Sequence, residues 1–486
     1  MNFEQIPTIL KRYSFSEKME ICQKCSQKIM QSSPYYIDPK KIVLQNLPQT
    51  WDLETFALFS IMTEKEYQYK TFKDIEDQRI FIEIINAIKS YCHPSILSNN
   101  DPDYWLMGLS QFQFKEQTDI HVRLFRYNYI FSFKNNDLDM PEIFKNFFKA
   151  TYADFYLPAL LIYNLFVYPS NAYKLNEAID KIFFSYNKIF KFLVIKRSAF
   201  ILEQNKCLLN GINSYQHSFK FFYPYPFINY KEKTYLPLPY LIVDAITDSL
   251  FRRLTHDNLQ LLQKIGEFAL QNYLEFILKE SLSYDEIKPE IKYYCKTEYR
   301  TPDVMVRKGH VCILFDSKLS LTTIRVRDFD IQTINNIVEK YASSIVQIYN
   351  RIREFNLYNP FSIKNFEKKD VFGVIVLFDD SYVSRANIYK RAIEKLGIKM
   401  DSNEYKFILT NIKIVNIEEI EQTAFHLTDY ISTLVLQRDN YNANLFSMNP
   451  YKIDLSSKKG ILPAFISFRD NTYVSLDKIV NKLNIV

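Results

Sequence analysis

Two apolar runs in the second half of the chain, VCILF at 311–315 and VFGVIVLF at 371–378, have no polar residue at alternate positions. A strand solvated on one face alternates apolar and polar residues, whereas a strand covered on both faces reads as one continuous apolar run. The two segments therefore call for helices on either side of a sheet, a three-layer α/β arrangement. The flanking sequence supplies those helices. Apolar residues three and four apart mark 257–279, 331–355, 384–396 and 417–437, and further strands are predicted over 287–295, 302–307 and 406–415. The expected order is helix, three strands, helix, strand, helix, strand, helix.

The first half is different. Segments 6–30, 53–62, 77–91, 141–168 and 175–210 all carry helical periodicity, punctuated by turns at His93-Pro94 and Asp101-Pro102. The Pro- and Tyr-rich stretch at 221–238 breaks that pattern and is the natural junction. A chain of 486 residues exceeds what a single core ordinarily organises. The predicted organisation is an α+β multidomain chain: a helical domain over 1–220, a junction over 221–256, an α/β domain over 257–440 and a C-terminal extension over 441–486.

Composition excludes several function classes. There are only 7 glycines, and no two lie close enough to form a phosphate-cradling or dinucleotide-binding loop. If nucleotide hydrolysis is needed for action, another polypeptide must provide it. Cys22 and Cys25 form a CxxC, but no second pair or His cluster follows at zinc spacing, so the pair reads as part of a helix face. The six histidines, His93, His121, His217, His256, His310 and His426, stand isolated from any nucleophile or metal motif. The apolar stretch at 153–168 is interrupted by Pro158 and Asn164 and is shorter than the roughly 20 residues a membrane span requires, so a buried helix is expected. With no secretory leader and scattered cysteines, the expected location is the cytoplasm. The net charge of +6 permits phosphate-bearing partners without requiring them.

The chemistry-bearing segment is TEYRTPDVMVRKGHVCILFDSKLS at 297–320. Pro302-Asp303 opens one strand, Gly309 sits in a short turn, and Asp316-Ser317-Lys318 closes the next strand, so a hairpin brings the two acidic ends together. Period-two alternation puts Asp316 and Lys318 on one face with Ser317 pointing away, and both carboxylates and the ammonium are expected to gather on that one sheet face. Mg²⁺ takes oxygen ligands, keeps several waters and is commonly held by one or two carboxylates plus a substrate phosphate. Asp303 and Asp316 can supply those oxygens, with the Ser317 carbonyl beside them, and Lys318 can stabilise charge developing on phosphorus. A purely structural account of the same residues makes Asp303 a turn cap and Asp316 with Lys318 an edge-strand ion pair.

As spaced here, these residues resemble the PD-(D/E)XK nuclease superfamily, whose pattern is Pro-Asp, a gap, then an acid, any residue and a Lys. The resemblance covers roughly 257–437 and implies a restriction-endonuclease-like core: a helix, three antiparallel strands, a helix and a further strand. It implies a Mg²⁺-dependent deoxyribonuclease, with Mn²⁺ able to substitute, of the kind found in bacterial restriction and antiviral defence. DNA is the implied substrate, with RNA left open, and a homo-oligomer or a partner protein supplying recognition or NTPase activity is compatible with it. The family's first helix often contributes a further acid. Glu267, Gln271 and Glu275 recur here at four-residue steps, making Gln271 or Glu267 the equivalent position, and a Gln there departs from the acidic pattern. The long helix after Lys318 often adds a polar or basic residue, for which Lys340 and Gln347 are the candidates. Arg325 and Arg327, and the Lys368/Lys369 pair, lie where they could follow a phosphate backbone. The rival expectation is a non-catalytic nucleic-acid-binding or scaffolding subunit with a degraded nuclease fold.

Overall fold

A computed structural model of the chain describes residues 1–35, 38–63, 70–72, 75–91, 107, 119–168, 172–208, 211–216, 218–281, 283–295, 297–322, 326, 329–363, 365–425 and 460–485. The fold is mixed α/β, mostly helical with several small sheets. In the first half, helices α1 (Phe15–Ser32), α2 (Thr50–Met62), α3 (Ile75–Ser90), α4 (Ile120–Ser132), α5 (Met140–Phe148), α6 (Tyr152–Val167) and α7 (Ala172–Ser185) follow one another. Cys22 of the CxxC is fully buried on α1, as a helix-face reading requires. Helix α6, the apolar stretch containing Pro158, is mostly buried and touches α1, α4, α5 and α7. No single helix among the described residues is long and apolar enough to cross a membrane; only α5 and α6 together reach that length, and they are bent by 68°.

A small three-stranded sheet follows, with β1 (Val194–Lys196) parallel to β2 (Phe227–Tyr230) and β2 antiparallel to β3 (Lys233–Tyr235). Helix α8 (Arg197–Lys206) leaves directly from the end of β1. Helices α9 (Ile242–Ile246), α10 (Asp248–Thr255) and α11 (Leu259–Lys264) then lead through a π-helical turn, Ile265–Leu270, into α12 (Gln271–Ser281).

The main sheet has five strands in the order β10-β9-β8-β7-β4. Its strands are β4 (Glu286–Pro289), β7 (Val304–Lys308), β8 (Val311–Lys318), β9 (Val371–Leu377) and β10 (Ile412–Asn416). β4, β7 and β8 are antiparallel neighbours, while β8, β9 and β10 run parallel. Between β8 and β9 lies α13 (Ile331–Arg353), followed after β9 by α14 (Arg385–Leu396) and α15 (Asn403–Asn411), and after β10 by α16 (Ile417–Phe425). A final helix, α17 (Pro463–Leu483), packs on α4 and α6.

Both sheet faces are covered, as the unalternating runs demanded. Val304, Val306, Ile313, Phe315, Val374 and Val376 join an apolar cluster that also holds the N-terminal helices and α12. Met305, Cys312, Leu314, Ile375 and Leu377 face a second cluster with α13, α14 and α15. Helix α13 approaches the sheet so closely at Gly373 that an added Cβ would stand 2.6 Å from Ile348 Cγ1, which explains a glycine inside a buried strand. The first cluster runs from Phe3 to Ile485 and includes Phe222, Phe227, Ile228 and Leu241 of the 221–256 segment.

Two element expectations need correction. The single strand expected over 287–295 is split: β4 ends at Pro289, and a separate hairpin, β5 (Lys292–Cys295) with β6 (Thr297–Arg300), is inserted before β7. Pro289 lacks the N–H that would carry the ladder on. The strand expected over 406–415 begins only at Ile412, because Ser402 caps α15 through the Tyr405 N–H and the helix runs to Asn411. The helix expected over 417–437 is described as far as Phe425; its remainder, and the 441–459 part of the extension, lie outside the described residues.

Asp52, in the first turn of α2, is 1% exposed and its Oδ2 has no hydrogen-bond partner among the described residues. Burial pushes its carboxyl up to about 7, against the opposing charge of Lys89 and a backbone hydrogen bond at Gln49. A folded-state value above the unfolded one means that the proton stabilises the native chain. That contribution is complete below about pH 4 and is lost as the pH rises through about 7. Asp52→Asn, which carries no charge, is expected to exceed the wild type in stability at about pH 8 by up to about 4 kcal/mol. The gain shrinks to nothing near pH 4, and urea unfolding at both pH values measures it.

Candidate active site

The hairpin that builds the site is set by its turn. Lys308 pairs with Val311, leaving Gly309-His310 as the connection, and Gly309 takes φ +60° at the first central position, as a tight hairpin of this length requires. The loop is fastened from outside: Asp285 accepts from the Gly309 N–H at 2.8 Å and from Arg307 at 2.8 Å. The ladder then runs in register to Val304 opposite Phe315, so the next residues along, Asp303 and Asp316, stand at matching positions at the end of the hairpin.

Asp316 and Lys318 continue the Cys312 and Leu314 series and lie on the α13 face of the sheet. Asp316 is 6% exposed, and its Oδ2 lies 2.6 Å from Lys318 Nζ. That ion pair is the polar contact this buried oxygen makes among the described residues. Lys318 Nζ also donates to Gln347 Oε1 at 3.2 Å. Lys340, seven residues before Gln347 on α13, has its pKa lowered first by partial dehydration and then by the charge of Lys318. Lys318, Gln347 and Lys340 thus share one neighbourhood.

Asp303 departs from the expected gathering on a single face. It precedes the first paired residue of β7, so the pleat does not fix its direction, and it turns toward α12. Its Oδ1 accepts from Gln271 Nε2 at 2.7 Å, and its Oδ2 accepts from the backbone N–H and the hydroxyl of Ser317 at 2.7 and 2.6 Å. Ser317 does point away from Asp316 and Lys318, but into a contact with Asp303 rather than into an uninvolved layer. Burial, with the negative charge of Asp316, raises the Asp303 carboxyl to about 7, while the Ser317 hydrogen bonds and Lys318 oppose the rise. The two carboxylates sense one another although Asp303 is hydrogen-bonded to Gln271 and Ser317 while Asp316 is ion-paired to Lys318 on the α13 face.

Of the two helix candidates, Gln271 makes the contact. The π-helical turn ends immediately before it, and such turns, which add a residue to the helical repeat, often occur at functional sites. Glu267, inside that turn, instead accepts from Arg300 at 3.0 Å. Glu275 pairs with Lys279 at 2.5 Å, away from the site. Arg325 and Arg327 lie outside the described residues, and Lys368 pairs with Glu404 at 2.7 Å.

Sequence reasoning missed Glu290. It sits between β4 and the inserted hairpin, 3.6 Å from Arg300, and its carboxyl is raised by burial and by the charges of Glu267 and Asp316, with Arg300 opposing. Reading β4 and β5 as one strand hid it, because it lies in the break between them, near enough to Asp316 to feel its charge.

No group of three or more His, Cys, Asp or Glu side chains among the described residues could enclose a metal ion. A hard divalent cation that retains its waters needs only one or two carboxylates, and the buried Asp316 and Asp303 carboxylates, near enough for the charge of one to raise the pKa of the other, fit that requirement. No protein-family model, curated protein or solved structure matches the chain.

The Gln271–Asp303 contact is directly testable. Gln271→Glu replaces a donor with a second acid, so in EDTA at about pH 8 the variant is expected to lose about 1–3 kcal/mol of stability. At about pH 5.5 the loss shrinks, because Asp303 then carries a proton it can donate to the new carboxylate. Equal melting of variant and wild type at pH 8 would show that the two side chains do not meet.

Proposed function

We propose that the chain is a Mg²⁺-dependent nuclease that hydrolyses phosphodiester bonds of DNA, belonging to the PD-(D/E)XK superfamily with a restriction-endonuclease-like core. The single observation that carries this reading is the pair of buried carboxylates, Asp303 and Asp316, at matching positions of the hairpin, with only the Lys318 ammonium ion-paired to Asp316. The element order supports it: α12, three antiparallel strands, α13 and the parallel strand β9 occur in sequence, with one inserted hairpin.

Asp303 and Asp316 are the residues that would hold the ion. Mg²⁺, when bound, would neutralise charge on the phosphoryl group and lower the pKa of water. Lys318 is 24% exposed at its side chain, so the ammonium that Asp316 and Gln347 hold in place still reaches solvent, where it can donate to a non-bridging phosphate oxygen. Lys340 adds positive charge on the same side, which favours the incoming polyanion. Gln271 and Ser317 orient Asp303 without adding charge, leaving it one unused lone-pair direction.

One observation favours a second reading, a nucleic-acid-binding or scaffolding subunit that does not cut. Both Asp303 oxygens are already engaged by neutral donors, and a Gln stands where the superfamily often has an acid.

The test is cleavage of plasmid, linear DNA and single-stranded RNA in Mg²⁺, in Mn²⁺ and in EDTA. Wild type is expected to cut DNA with either metal and not in EDTA; Asp316→Ala abolishes cutting, and Lys318→Ala slows it by about a hundredfold or more. Absence of cutting by folded wild type, with nucleic-acid binding unchanged in Asp316→Ala, decides for the scaffold.

A further inference from the structure

A cavity of about 380 Å³ lies far along the chain from the acidic site, at the carboxyl ends of the parallel strands β1 and β2. Its lining is cationic. Lys196 closes β1, Arg197 and Ser198 begin α8, Asn229 pairs with Lys196 across the ladder, and Lys231 follows β2; no carboxylate belongs to the lining. Lys196 and Lys231 are exposed. The Arg197 guanidinium is fixed as a floor: it is 5% exposed, donates to the carbonyls of Ile61 and Thr63, and lies over the rings of Phe15 and Tyr230 at 4.5 and 4.7 Å.

The backbone adds to this. α8 starts at the cavity without a side-chain cap, which puts the positive end of the helix dipole there. Lys231 and Glu232 adopt φ +47° and +62°, a turn that ordinarily takes Asn and Gly, so the fold accepts strain where it puts a lysine beside the cavity. A buried guanidinium, two exposed ammonium groups, a hydroxyl and a carboxamide together form a donor-rich pocket of a size suited to a small ligand.

We propose that this cavity binds a phosphate group, presented either on a nucleic-acid strand or by a small phosphorylated molecule. The cationic lining and the absence of carboxylates from it select an anion, and phosphate is the anion that several charged and neutral donors hold best.

The test is calorimetric titration of the full chain in EDTA with three probes: inorganic pyrophosphate, a thymidine tetranucleotide bearing a 5′-phosphate, and the same oligonucleotide without it. Lys196→Ala/Lys231→Ala is the variant, and Lys188→Ala, on an exposed lysine outside the cavity, is the control. Melting temperatures establish that both variants fold. The expected result is binding by wild type and control, weakened about tenfold or more in the double variant through loss of two charge-assisted contacts. Pyrophosphate binding identifies a free phosphate group as sufficient. Binding of both oligonucleotides without pyrophosphate identifies the strand backbone, and binding of only the phosphorylated one identifies a strand end. Failure of all three probes, or binding that the double substitution leaves unchanged, overturns the proposal.

Discussion

Strand β8 is hydrogen-bonded on both sides, antiparallel to β7 and parallel to β9, and the placement of the site's side chains follows from that double register. A one-residue slip would exchange the faces of Ile313 and Phe315 with those of Cys312 and Leu314, and would move Asp316 and Lys318 away from α13. Three features pin the register: the glycine turn at 309, the Asp285 clamp upon it, and the close seating of α13 over Gly373. The site is therefore as rigid as the core beneath it, which is what positioning a charged group to within a fraction of an ångström requires.

Helix α12 is fastened from two directions. Gln271 reaches Asp303 at the sheet end, and two residues on, Tyr273 donates to Glu421 of α16 at 2.7 Å. Glu421 in turn accepts from Arg126 of α4 at 2.8 and 3.0 Å, so a buried ionic network joins the N-terminal helices to the helix that orients Asp303. Arg126 is 2% exposed and Glu421 is fully buried. Removing either partner would leave an uncompensated buried charge, which is far more costly than the pair is stabilising. The N-terminal region thus bears on the site's geometry as well as on the size of the core.

How much of this could be read from residues alone depends on which periodicity governs each one. Asp316 and Lys318 lie inside a long strand, where alternation determines direction, and the structure places them together as that rule says. Asp303 lies one residue before its strand, where no period applies, and its direction was missed. Gln271 and Glu267 both looked suitable on a regular helix, and only the π-helical turn between them decides which one meets Asp303. Glu290 was invisible because the break after Pro289 and the inserted hairpin have no apolar pattern of their own: every residue of β6 is exposed. The basic cavity was missed for a related reason. Lys196 and Lys231 are 35 positions apart and meet only through the parallel pairing of β1 with β2.

Asp316 and Lys318 admitted a purely structural explanation, an ion pair guarding an exposed sheet edge. The topology removes the premise, because β8 is the central strand of the five and has no edge to guard. Nor does burial of these charges serve stability. Two carboxylates stand near a single ammonium, and the proximity of Asp316 works against the ionised form of Asp303. A surplus of buried negative charge is expensive, and an apolar pair at these positions would extend both clusters at no such cost. The arrangement would become favourable were a cation to join Lys318, and this is the physical support for the proposed ion and phosphate site at the hairpin end.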